Sequence, residues 1–232
     1  MDAAFQSFVH AEALAGGKSG RTRVKICGIT NGQDASDAVE LGADALGFNT
    51  YAGSRRCIDL NKEAEWIRSL PAHVTKVAVM VNPTIAEAKA VFKLPFIDMV
   101  QFHGNEDEKF CAHFASIGLP FIKAVAVKDA LSLRDLERFG TPHVLLDAYS
   151  PEAYGGTGRR IEEELLRNFG AGNAADLRLI LSGGLNPDNV REMIDSVHPH
   201  AVDVASGVES APGRKDKGLM EKFIRAVLEG TR

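Results

Sequence analysis

From Arg23 onward the chain alternates between short runs rich in β-branched and other apolar residues and longer amphipathic stretches rich in Ala and Glu. That alternation leaves few folds open, because it is the signature of βα units and a parallel sheet. Strands are expected near 23–27 (RVKIC), 44–48, 75–80, 98–102, 121–125, 143–147, 178–182 and 201–205. Helices are expected near 33–41, 61–70, 84–93, 106–117, 129–139, 159–169, 187–196 and 215–229, the third and seventh opening just after Asn82-Pro83 and Asn186-Pro187. Eight pairs in strict order close most economically into a single α/β domain, a (β/α)8 or TIM barrel. The rival, an open doubly wound sheet, loses ground because no GxGxxG follows the first strand. Residues 1–21 precede the pattern and read as a short N-terminal extension, a frayed helix or flexible tail, with the barrel spanning 22–232.

At 232 residues, one barrel can use the whole chain. A formal net charge of −4, with the basic residues scattered, argues against a nucleic-acid partner. Three cysteines form no CxxC pair, and the amino terminus lacks a cationic start and an apolar middle, so a cytoplasmic address and no membrane partner are expected. Barrels of this size exist alone and in pairs, so monomer and homodimer both stay open. GGKS at 16–19 imitates a phosphate loop, but the required spacing finds Glu12 where glycine is needed. HAE at 10–12 lacks a downstream PCxxC, and His198 and His200 have no third ligand, so no metal is expected.

In a barrel, loops that follow strands gather on the carboxyl-terminal face, where active sites sit. Polar residues that end strands are therefore the candidates. Period-two alternation turns Lys25 and Cys27 to the side opposite Val24 and Ile26, and Leu145 and Asp147 to the side opposite Val144 and Leu146, which should be the barrel interior. A lone Cys at a strand end is most often a packed hydrophobe; beside the Lys25 ammonium it would gain thiolate character and could take a proton from carbon. Asp147 could cap a turn, or keep a proton to donate. Arg55 and Arg56, after strand two, could be merely solvated or could clamp a carboxylate. The turns at Gly183-Gly184 and Ser206-Gly207 sit in loops seven and eight, where barrels often bind phosphate, and imply a phosphorylated small-molecule substrate. His103 lies on the same face, with a loop-stabilising role as the alternative to ligand contact. Asp203 should sit beside Lys25 or Lys123 in a polar layer of the barrel.

KICGIT (25–30), GADALGF (42–48), SRR (54–56), VQFHG (100–104), LLDAYSPEAYGGTG (145–158), LSGGLNPDNV (181–190) and VDVASGVESAPGRKD (202–216) occur in one order along the chain. Together they resemble the phosphoribosylanthranilate isomerases of tryptophan biosynthesis. The resemblance implies a barrel without cofactor that carries out an Amadori rearrangement of N-(5-phosphoribosyl)anthranilate to 1-(2-carboxyphenylamino)-1-deoxyribulose 5-phosphate. It also implies Cys27 as general base, Asp147 as general acid, Arg56 on the anthranilate carboxylate, His103 nearby, and the phosphate on amides of Gly183, Gly184, Ser206 and Gly207. The chain departs from the family's aromatic GFVFYPKS-like stretch with GFNTYAGS, and RRIEEELL lacks the Phe-Asp-Trp often found there. The alternatives are the sister isomerase of histidine biosynthesis, which uses an aspartate where this chain has Cys27, and a non-catalytic phosphate-ligand barrel.

Overall fold

Alternate residues of each strand serve two different cores. In the computed structural model, which describes residues 21–150, 161, 162, 164–166 and 177–229, eight parallel strands form a closed barrel in sequence order. They are β1 (Arg23–Cys27), β2 (Ala45–Asn49), β3 (Thr75–Met80), β4 (Met99–Phe102), β5 (Phe121–Val127), β6 (His143–Ala148), β7 (Arg178–Leu181) and β8 (Ala201–Val204). The closing pair aligns Lys25 of β1 with Asp203 of β8. One side-chain set, Ala45, Val77, Met99, Ile122, Ala124, Leu145, Ile180 and Ala201, fills the barrel interior. The opposite set packs under the helices. Both faces being buried, the strands read as nearly continuous apolar runs.

The helices α1 (Gly32–Glu40), α2 (Ala64–Ser69), α3 (Ile85–Phe92), α4 (Glu108–Ser116), α5 (Val190–Val197) and α6 (Lys217–Leu228) lie where the amphipathic stretches predict them. Side-chain oxygens of Asn31, Thr84, Asp107 and Asp216 cap four of them, and Thr84 forms a reciprocal box with Glu87. Helix α5 opens three residues later than expected, because Asn186 Oδ1 accepts from the Asp188 and Asn189 amides and holds a turn first. The expected helix at 129–139 is instead two 3-10 turns, Ala130–Leu133 and Leu136–Phe139. Asp129 and Ser132 cap each other there, and Asp135 sits at φ 50°, so local side-chain bonds win over a continuous helix. Most of the expected helix at 159–169 lies outside the described residues, as do residues 1–20. Arg21 already belongs to the barrel, its guanidinium making 2.9 and 2.7 Å bonds to Asp44.

Phe102, wholly buried, is ringed by Phe92, Phe110, Phe114 and Phe121 at centroid distances of 5.0–6.5 Å. Phe102→Ala should cost about 3–5 kcal/mol, read as a lowered urea midpoint. No helix among the described residues is long and apolar enough to cross a membrane.

Candidate active site

β1 delivers Cys27 to the carboxyl-terminal end of the barrel, with Gly47 as its register partner on β2. Beneath it lies Lys25, without solvent exposure, its Nζ 2.6 Å from Asp203 Oδ1. The other Asp203 oxygen accepts from Ser182 Oγ at 3.3 Å. Asp203 thus chose Lys25 of its two expected neighbours. Lys123, between the inward-facing Ile122 and Ala124, points the other way and pairs with buried Glu106 at 2.7 Å. Burial pushes the Cys27 thiol above its ordinary range and Asp203 adds to the rise, while Lys25 and Lys215 pull it down without cancelling it. Cys111 is a different case, a core thiol raised to about 11 mainly by burial.

Arg56 does not stand free. Its Nε and Nη2 donate to Glu209 at 2.8 and 2.7 Å. Glu209 comes from a hairpin after β8, formed by β9 (Glu209–Ala211) and β10 (Arg214–Lys215), and also accepts from Lys215 Nζ at 2.9 Å. Burial acts to raise the Glu209 carboxyl, but Arg56 and Lys215 outweigh it and hold it below the usual range. The remaining N–H groups of the forked guanidinium are the ones a ligand could use. Asn49 and Thr50, the polar residues of the GFNTYAGS segment, spend their side chains on backbone: Asn49 Oδ1 accepts from the Tyr51 amide of the loop and Thr50 Oγ1 donates to the Val79 carbonyl of β3.

Across the barrel mouth, Asp147 of β6 is buried, with Oδ1 accepting from the Ala148 amide at 2.9 Å. Its Oδ2 lies 3.1 Å from His103 Nε2, and His103 Nδ1 lies 2.7 Å from Gln101 Nε2. The orientation of the Gln101 amide selects the His103 tautomer: when its N–H donates to Nδ1, the proton is on Nε2, facing the Asp147 carboxyl. Gln101 Oε1 is buried without a partner among the described residues; a half-turn of the amide would present it to a charged imidazole. His103 therefore links Gln101 of β4 to Asp147 of β6 through its two ring nitrogens.

The glycine turns press close to these groups. Gly183 has φ +88°, and a Cβ there would stand 2.7 Å from the Ala148 amide and 3.2 Å from Asp147 Oδ1. A Cβ on Gly207 would collide with the Leu185 carbonyl. Among the described residues, the amides of Gly183 and Gly184 donate to no backbone acceptor, and Ser206 and Gly207 are the first two residues of the 3-10 turn Ser206–Val208, where amides have no partner within the turn. A cavity of about 690 Å³ opens beside Asp147 and His103 toward loops four to six.

Cys27 and Asp147 thus lie at one end of the cylinder on strands three apart, with Arg56 near the sulfur and Gly183 against the carboxyl. Sequence reasoning missed Gln101, Glu209 and Lys215. Gln101 was within reach, since it sits two residues before His103 on one strand face.

A family model described as N-(5'phosphoribosyl)anthranilate (PRA) isomerase matches residues 24–226. A relative from Geobacter metallireducens, named N-(5'-phosphoribosyl)anthranilate isomerase, is 45% identical over 206 residues, covering 88% of this chain and 97% of that one. The crystal structure of phosphoribosyl anthranilate isomerase from Thermotoga maritima superposes with a TM-score of 0.80 at 38% identity, over 90% of this chain and 99% of that one. A further structure, of phosphoribosyl anthranilate isomerase in complex with reduced 1-(O-carboxyphenylamino)-1-deoxyribulose 5-phosphate, gives a TM-score of 0.76 at 37% identity, over 90% and 99% of the two chains.

Proposed function

Since the chain belongs to the N-(5'-phosphoribosyl)anthranilate isomerase family, and is thereby an isomerase of tryptophan biosynthesis, we propose that Cys27 is its general base and Asp147 its general acid. Protonated Asp147 donates to the furanose ring oxygen, and the ring opens to a Schiff base. Cys27 thiolate then removes the proton from the second sugar carbon, and the resulting enolamine tautomerises to the ketone. After the first transfer, the Ala148 amide and His103 Nε2–H stabilise the Asp147 carboxylate that is left.

The observation that carries this reading is the pairing of environments at one barrel mouth. A thiol sits among Lys25, Lys215 and Arg56 with Asp203 behind Lys25, and a carboxyl sits between the Ala148 amide, His103 Nε2 and the Gly183 turn. Between them, the amides at Gly183, Gly184, Ser206 and Gly207 suit the substrate phosphate, and Arg56 suits the anthranilate carboxylate through paired N–H donors. The relative bound to a reduced carboxyphenylamino deoxyribulose phosphate supports a ligand with these two anionic ends. Anchoring both ends orients the reacting carbons, which lowers the entropic part of the barrier.

Arg56→Ala should raise KM by about tenfold or more, in line with loss of a charge-assisted bond, and leave kcat within a few-fold. Steady-state fluorescence of the disappearing substrate measures both; an unchanged KM would remove the carboxylate assignment.

A further inference from the structure

Building on Cys27 as the base, we propose that Lys25 is a positioning residue that makes this thiol usable, with Asp203 as the counter-charge that holds the ammonium under the sulfur. Lys25 is among the largest side chains with no exposure, and it stands in the barrel interior above a layer of apolar side chains. A buried ammonium survives only when paired. One N–H of Lys25 goes to Asp203 Oδ1 at 2.6 Å, and Cys27 is the next residue on the same inward side of β1, where the ammonium acts on its sulfur electrostatically. The space between β1 and β2 is kept open for that meeting: a Cβ on Gly47 would stand 2.7 Å from Cys27 Sγ and 3.1 Å from Lys25 Nζ.

The pair is directional. Lys25 favours the thiolate and Asp203 opposes it, so the two charges of one ion pair act on the sulfur with opposite sign. The other charged groups facing Cys27 are Lys215 from β10 and Arg56 from the loop after β2, and both are already bound to Glu209. Lys215 is as far out of solvent as Lys25, and screening is weak for both; Lys25 differs in reaching the sulfur from inside the barrel and in leaning on Asp203 instead of Glu209. An ion pair present only to fill the barrel would be indifferent to which end of it lies under the sulfur.

The test is the pH dependence of iodoacetamide alkylation, read by mass spectrometry on the Cys27 peptide of the full chain, with Cys57 and Cys111 as internal references. Lys25→Met should move the Cys27 midpoint up by about one pH unit or more, and Asp203→Asn should move it down by a similar amount. Equal shifts in one direction, or none, overturn the proposal. If Lys25→Met strands Asp203 and the chain fails to fold, Asp203→Asn alone decides: a midpoint unchanged or raised is a refutation. The doubly neutral Lys25→Met/Asp203→Asn chain strands no charge and should fall between the two single variants; a midpoint outside that interval counts against the idea. Alkylation needs no turnover, so this result stands apart from the base assignment, which the turnover of Cys27→Ala tests.

Discussion

Cys27→Ala is expected to lower kcat by about 10²–10⁴, equivalent to about 3–5 kcal/mol of transition-state stabilisation, while KM stays within a few-fold. The split follows from geometry. The groups proposed to hold the substrate are Arg56 and the amides of loops seven and eight, and none of them bonds to the sulfur for support: Arg56 leans on Glu209. Removing the thiol therefore deletes a proton acceptor from an otherwise intact binding site. Cys27→Ser should do little better, because a hydroxyl in the same setting loses its proton far less readily than a thiol. Stability should change little, since the side chain is small and only half-buried. Near-normal turnover in Cys27→Ala would falsify the base assignment.

Asp147→Asn is the second large effect, a fall in kcat of about 10²–10⁴ from loss of the proton that opens the ring. The substitution keeps the shape and the Oδ1 acceptor for the Ala148 amide. It also turns a donor toward His103 Nε2, where the native residue has an acceptor 3.1 Å away. The imidazole can answer by moving its proton to Nδ1, provided the Gln101 amide turns to offer its unpartnered Oε1. Histidine resonances followed by NMR should report that tautomer change in Asp147→Asn and not in Cys27→Ala. A variant with wild-type kcat would exclude Asp147 as the acid.

Much of this was legible because a parallel strand buried on both faces has only two sides. Alternation alone turned Lys25, Cys27, Asp147 and Asp203 inward, and β1, β3 and β6 lie within a residue of their expected spans. Lys123 shows the limit. Which of two lysines meets Asp203 depends on the parity of β5, and its neighbours Ile122 and Ala124 are too alike in hydrophobicity to Val125 and Phe121 for the sequence to reveal it. The helix expected over 129–139 failed for a local reason, as Asp129, Ser132 and Asp135 bond to nearby backbone or take a left-handed turn. Glu209 and Lys215 stood inside a recognised motif, yet their purpose depends on an arginine 153 residues away in sequence. No local pattern carries that information.

The bond between Arg56 and Glu209 joins the first quarter of the chain to the last tenth, and β1 finds its second neighbour only in β8. A growing polypeptide on the ribosome thus lacks both the hairpin that orients the arginine and the strand that shuts the cylinder until almost all of it has been made. Activity should switch on as one late event, once the closing strand and the hairpin have both been made, and products of synthesis interrupted before them should be inert however much of the front of the molecule they contain.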